Sequence, residues 1–213
     1  MQIQEVTVGL ADTCCYIVSK DEDSKECIVI DPGGETVRIL KAVGERKIAA
    51  ILLTHGHFDH IGAVEKLFNS EFRIQNSELK ETETTESGRD DMDGKTRIII
   101  HELDAPMLGD PELNAGMMLL RHAITAPPAT DLVKEGDELE IAGLKIRVLH
   151  TPGHTPGSVC YLIEGELFTG DTVFEHGYGR TDLPGGDEEQ LAASLRRLMP
   201  MIRSMPIHPG HEY

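Results

Sequence analysis

Seven side chains in this chain of 213 residues have the types and spacing to do metal chemistry. Four of them, His55, His57, Asp59 and His60, fall within six residues, directly after the apolar run Ala49-Ala-Ile-Leu-Leu53 and Thr54. Imidazole offers a neutral nitrogen and carboxylate an anionic oxygen, a donor set that suits zinc, iron or manganese. No Lys or Arg stands among them, so a bound cation explains the grouping better than folding does. His55 and His57 lie two apart on a turn and reach one ion, while Asp59 and His60 point elsewhere, towards a second. A solvated histidine-rich turn is the competing reading. Four ligand types packed after an apolar strand speak against it. The other three candidates, His154, Asp171 and His211, also follow apolar strands and sit in turns containing Gly or Pro. Four strand ends thus deliver seven ligands, enough for two divalent ions with one residue shared. His150, His176 and His208 lie near these turns without the spacing and read as structural, as do His101 and His122.

The chemistry expected of such a centre is hydrolysis. A divalent cation brings the proton loss of a bound water close to neutral pH. The resulting metal-bound hydroxide attacks a carbonyl whose oxygen the cations stabilise. No residue nucleophile is needed, and the chain has no G-x-S-x-G motif.

Strands must hold these turns. Apolar or alternating runs predict them at 1–10, 14–19, 27–30, 49–53, 98–100, 138–141, 144–149, 158–163, 166–168 and 205–207. Helical spacing predicts helices at 35–43, 60–68 and 187–198, and two helical pieces within 104–120 broken at 109–111. A ligand-bearing turn at the carboxyl end of a strand, before a helix, is where open α/β folds put their sites. Residues 76–96 change character: 78–93 are rich in Glu, Thr, Asp and Ser, with Leu79 and Met92 as the aliphatic side chains. They read as an acidic insertion into a single domain spanning 1–213.

Composition narrows the partners. The net charge of −17 disfavours nucleic acid and anionic membrane as ligands and leaves a small molecule. Apolar residues make up 39%, enough for a core, which must rest on Ile, Leu, Val and Met because Trp is absent. Cys14, Cys15, Cys27 and Cys160 form no C-x-x-C pair and read as buried reduced thiols. No signal peptide and no apolar run of about 20 residues are evident, so a cytoplasmic location is expected. The oligomeric state is not legible.

Together, Thr54-His-x-His-x-Asp-His60, Pro152-Gly-His154-Thr-Pro-Gly-Ser158, Gly170-Asp171-Thr172 and Pro209-Gly-His211 resemble the metallo-β-lactamase-fold hydrolase superfamily, in its order and over nearly the full length. Phe168-Thr-Gly-Asp171-Thr-Val-Phe174, Gly179-Arg180-Thr-Asp182 and Gly210-His211-Glu-Tyr213 look most like its glyoxalase II-like branch. The resemblance implies a four-layer αββα sandwich of two βαβ-rich halves. It implies that His55, His57 and His154 hold one ion, that Asp59, His60 and His211 hold the other, and that Asp171 bridges them. Two divalent ions are expected, zinc first, with iron or manganese accepted by the same donors. β-Lactamases of the superfamily usually have Cys where Asp171 stands, so a shared carboxylate implies the broader hydrolase branch.

The implied function is hydrolysis of thioesters or related acyl compounds. The alternative is a persulfide dioxygenase-like oxidoreductase, which shares the fold and uses one iron. Arg180 resembles a basic residue that holds the glutathione moiety in glyoxalase II. With Tyr178 it is expected to bind substrate, the competing reading being a structural pair between Arg180 and Asp182 or another nearby acid. Glyoxalase II also carries a C-terminal helical domain, whereas this sequence stops at Tyr213. A weak preference for the thiol half of the substrate is therefore expected.

Overall fold

Alternate residues along the apolar strands face different layers, and this alternation builds the architecture. The computed structural model describes residues 1–69 and 95–212, and the backbone alone of 73–75 and 78–80. The first half runs β1 (Gln2–Val8), β2 (Thr13–Ser19), β3 (Glu26–Ile30), α1 (Thr36–Val43), β4 (Lys47–Leu52), α2 (Phe58–Ile61), α3 (Val64–Phe68), the short hairpin β5 (Arg73–Gln75) and β6 (Glu78–Lys80), β7 (Arg97–His101), a 3-10 turn (Ala105–Leu108), α4 (Gly116–Leu120) and β8 (Asp131–Val133). Its main sheet has the order β1-β2-β3-β4-β7-β8. The first three strands are antiparallel, and β3, β4, β7 and β8 are parallel. The second half runs β9 (Glu138–Ile141), β10 (Leu144–His150), β11 (Val159–Ile163), β12 (Glu166–Gly170), the small hairpin β13 (Val173–Phe174) and β14 (Gly177–Tyr178), α5 (Glu188–Ile202) and β15 (Ile207–Pro209). Its sheet has the order β15-β12-β11-β10-β9, antiparallel except where β15 joins β12 in parallel.

Three apolar layers separate these parts. On β2, Cys15 and Ile17 face the outer helices, where Ile39, Ile61, Val64 and Leu67 pack. Cys14, Tyr16 and Val18 face the other sheet, where Ile146, Val148, Tyr161 and Phe168 meet them. The outer face of the second sheet packs Leu149, Cys160 and Leu167 against Leu198 of α5. This is the expected αββα sandwich. The central strands of the first sheet are covered on both faces, which is why they read as unbroken apolar runs. On β10, one face is apolar and Lys145 and Arg147 point to solvent, the alternation of a half-covered strand.

The four cysteines are free and buried. Burial pushes the Cys14 thiol up to about 12 and those of Cys27 and Cys160 up to about 11.

Several expectations need correction. The helix expected at 60–68 begins at Phe58 and is split into α2 and α3. The break lies where Ala63 N–H donates to Pro32 O at 2.8 Å and the chain packs against the turn after β3. Asp59 and His60 therefore stand on a helical turn. The last strand is Ile207–Pro209, shifted by its parallel pairing with Leu167 and Phe168. It lies at the sheet edge, where a proline is tolerated. β8 was not expected; it is three residues long. The second half is mainly an antiparallel meander and not βαβ-rich. Most of the expected acidic insertion lies outside the described residues. The backbone of 78–80 pairs with 73–75 as a hairpin.

Candidate metal centre

All seven candidate ligands converge at one end of the two sheets. Three groups have donor atoms within 4.8 Å of one another: His55, His57 and His154; His55, His60 and Asp171; and Asp59, His60 and His211. Shared members make these groups one continuous cluster. β4 delivers His55 and His57 on the turn before α2, and α2 itself carries Asp59 and His60. His154 lies in the turn between β10 and β11, Asp171 directly after β12, and His211 directly after β15. The two sheets meet here, with Val159 N–H donating to Thr54 O at 2.8 Å.

Backbone and side-chain acceptors orient most of the rings. His154 Nδ1 lies 2.7 Å from Arg180 O, and His211 Nδ1 lies 3.0 Å from Ala11 O. A carbonyl only accepts, so both rings carry their proton on Nδ1 and turn Nε2 inward. The Thr54 hydroxyl donates to Asp31 Oδ2 at 2.6 Å and stands 3.1 Å from His55 Nδ1. It therefore accepts from that nitrogen and leaves His55 Nε2 as a lone pair. His60 Nδ1 is 3.1 Å from Asp31 Oδ2. Asp31 thus steers one ring directly and another through Thr54.

The inward atoms are spaced for coordination. His57 Nδ1 and His154 Nε2 are 2.9 Å apart. His60 Nε2 and His211 Nε2 are 3.4 Å apart. The Asp171 carboxylate stands between these pairs, with Oδ2 3.5 Å from His154 Nε2 and 3.4 Å from His211 Nε2, and Oδ1 3.4 Å from His60 Nε2. Asp59 Oδ2 closes the second group, 3.6 Å from His211 Nε2. Donors on a tetrahedral zinc at bonds of 2.0–2.1 Å lie about 3.3 Å apart. Gly210 permits this closeness: a Cβ there would lie 2.2 Å from Asp171 Oδ1.

The buried polar atoms fit a cation and little else. His55 Nε2, His57 Nε2 and Asp171 Oδ1 are buried with no hydrogen-bond partner. A fold does not leave buried polar atoms of one cluster unpaired without a ligand to satisfy the group. Burial, followed by the neighbouring imidazoles, pushes His55 well below its ordinary range; burial and His154 do the same to His57. Both rings are neutral, the state that binds metal. Burial also pushes His60 down, but Asp171 and Asp31 outweigh it and hold this ring well above the usual value. Asp171 is pushed up by burial and pulled further down by His60, His211 and His154, so it is ionised.

The remaining candidates lie elsewhere. His101 stacks on His150 with centroids 4.1 Å apart, and His208 bonds Glu166 at 2.8 Å and stacks on Phe168. His122 and His176 are exposed. Tyr178 is exposed on β14. The Arg180 guanidinium forks onto Asp182, with Nε to Oδ1 at 2.6 Å and a terminal nitrogen to Oδ2 at 2.7 Å. The Arg180 carbonyl oxygen faces His154 Nδ1. Sequence reasoning passed over Asp31 and Asp104, two buried carboxylates that touch the ligand-bearing loops. Each follows an apolar strand, the same signal that marked the ligands.

This fold and this cluster define a class: the chain belongs to the metallo-beta-lactamase superfamily, whose family model matches residues 9–90 and 91–205. Among its relatives, the probable metallo-hydrolase YqgX of Bacillus subtilis is 32% identical over 99% of this chain and 90% of its own length. The hydroxyacylglutathione hydrolase GloC of Haemophilus influenzae is 33% identical over 99% of this chain and 91% of its own. Among solved structures, the BLEG-1 B3 metallo-beta-lactamase is similar with a TM-score of 0.83 and 32% identity, covering 100% of this chain and 92% of that one. TTHA1623 in a di-iron-bound form has a TM-score of 0.76 and 32% identity, covering 99% and 92%. ETHE1 from Myxococcus xanthus has a TM-score of 0.71 and 27% identity, covering 100% and 76%. Among the described residues no helix is long and apolar enough to cross a membrane.

Proposed function

We propose that this protein is a dinuclear metal-dependent hydrolase of thioesters or related acyl compounds. The observation that carries the reading is the placement of Asp171. Its carboxylate lies within 3.5 Å of imidazole nitrogens from both ligand groups. In this reading His55, His57 and His154 hold one ion, Asp59, His60 and His211 hold the other, and Asp171 bridges them. Zinc suits the all-nitrogen-and-oxygen donor set, as do iron and manganese. The two ions would supply Lewis acidity and an acidified water.

The chain's own residues do the rest. Asp171 neutralises charge between the two sites. Arg180 O and Ala11 O fix the tautomers of His154 and His211. The Asp59 side chain is 15% exposed, more than those of Asp171 and its histidine neighbours. From this more open side of the cluster it would take up a proton during acyl transfer. Tyr178 and Arg180 follow Asp171 closely and would bind the acyl compound, with Arg180 exchanging Asp182 for a substrate carboxylate. Support for the thioester class comes from the similarity to GloC, a hydroxyacylglutathione hydrolase.

The test is metal analysis of protein purified without added metal, followed by turnover of a thioester panel. Two ions per chain and thioester hydrolysis are expected. A single iron with oxygen uptake on a persulfide would replace this reading with the dioxygenase one. Turnover of a β-lactam and not of thioesters would move the substrate class instead.

A further inference from the structure

Asp104 contributes no donor atom to the metal cluster, yet it is fully buried and bonded to both loops that carry the first ligand group. Its Oδ2 accepts from Gly56 N–H at 3.1 Å and from the Thr155 hydroxyl at 2.6 Å, and its Oδ1 accepts from Gly157 N–H at 2.7 Å. Gly56 stands between His55 and His57, and Thr155 directly follows His154. The carboxylate is anchored from behind: Asp104 N–H donates to His101 O at 3.0 Å, and Asp104 O accepts from Met107 N–H at 2.9 Å. Both glycines are needed for the approach. A Cβ on Gly157 would lie 2.6 Å from Asp104 Oδ1, and one on Gly56 would lie 2.6 Å from Met107 Cβ.

We propose that Asp104 is a positioning residue for the His55, His57 and His154 group, its buried carboxylate clasping the two loops and setting the spacing of the three imidazoles. This rests on the metal-binding reading above. Burying a carboxylate is costly unless its oxygens are bonded, and here those bonds go to the backbone and side chain beside metal ligands. The bond from Val159 N–H to Thr54 O joins the strand ends, whereas Asp104 joins the turns themselves. The Asp59, His60 and His211 group is held by other partners, Asp31 and Ala11 O. The clasp therefore acts on one side of the cluster.

That asymmetry is the test. Asp104→Asn keeps the volume but turns an amide N–H₂ towards at least one donor. It is placed in two backgrounds: His211→Ala, which leaves the first group, and His154→Ala, which leaves the second. Zinc affinity is measured against a chromophoric chelator, with thermal unfolding of the metal-free forms as the folding control. Asp104→Asn is expected to weaken zinc about 10- to 100-fold in the His211→Ala background and to leave it unchanged in the His154→Ala background. If Asp104→Asn does not fold, Thr155→Val removes one of the three donors and should give a smaller loss of the same asymmetry. Equal losses in both backgrounds, or none in either, overturn the proposal. Failure of the unsubstituted protein to bind zinc overturns the metal reading, and this inference with it.

Discussion

The two ligand groups share Asp171 and differ in what surrounds them. His55, His57 and His154 are packed with one another, and burial together with mutual repulsion keeps His55 and His57 neutral. His60 and His211 are set against acids: Asp31, Asp59 and Asp171. Burial pushes both rings down, but Asp171 outweighs it and leaves both raised. The first group presents lone pairs to a cation. The second presents rings that hold a proton more tightly, so a cation entering there competes with protons. One cluster thus contains a ready site and a site linked to pH, distinguished by the carboxylates set against the imidazoles of the second group.

The largest effect should come from the residue that belongs to both groups. Asp171→Asn keeps the shape and removes the charge, leaving imidazoles and cations without their shared counter-charge. Breaking a buried ionic contact from one side costs about 3–5 kcal/mol, on the order of 10²- to 10⁴-fold in affinity. Both ions should weaken, and turnover should fall at least as far, with circular dichroism unchanged. Near-normal turnover would dismiss the bridging role.

His211→Ala separates the groups. One ion should be lost while the other stays, because His55, His57, His154 and Asp171 remain. Metal content by mass spectrometry would show this directly. Two ions retained would remove His211 from the ligand set.

The pH linkage sharpens the same contrast. A raised imidazole keeps its proton above the ordinary value of 6.5, and a cation competes with that proton. Affinity at the second group should therefore fall as pH is lowered through and below neutrality, with proton release on binding. His55 and His57 lose their protons well below 6.5, so the first ion should survive to lower pH. Metal titrations at several pH values would check it. Parallel loss of both ions would contradict the distinction between the groups.

The smallest effect is expected at the periphery. Arg180 pairs with Asp182 by both fork nitrogens, with side chains 54% and 67% exposed. Solvent screens such an exposed pair, so it contributes little. Arg180→Ala should raise KM about tenfold or less for an acidic thioester and less for a neutral one of equal size. Asp182→Asn removes the acid that the fork grips and should lower KM for the acidic substrate. Equal changes on both substrates would assign Arg180 to loop support.

The sequence made the ligands and the sandwich legible because both leave local marks. β4 ends in four ligand types within six residues, and the covered strands are continuous apolar runs. What it hid depends on contacts between distant segments. The split of α2 from α3 follows from Ala63 meeting Pro32, a contact no local periodicity encodes. β8 is three residues of edge strand, too short for a pattern. Asp31 directly follows β3, and Asp104 opens the segment 104–120 that reads as helical. Their carboxylates acquire roles only when loops far apart in the chain close over them. Arg180 could be placed near the cluster by its distance from Asp171, and Asp182, two residues on, could be named as a competing partner, but the choice between substrate and Asp182 depends on how the segment folds.

The claim of two ions flanking Asp171 is tested most directly by anomalous diffraction from crystals of zinc-loaded protein. Two peaks are predicted about 3.5–4 Å apart, one against His55, His57 and His154, the other against Asp59, His60 and His211, with Asp171 between them. A single peak at full zinc loading, with nothing beside His211, would contradict the account.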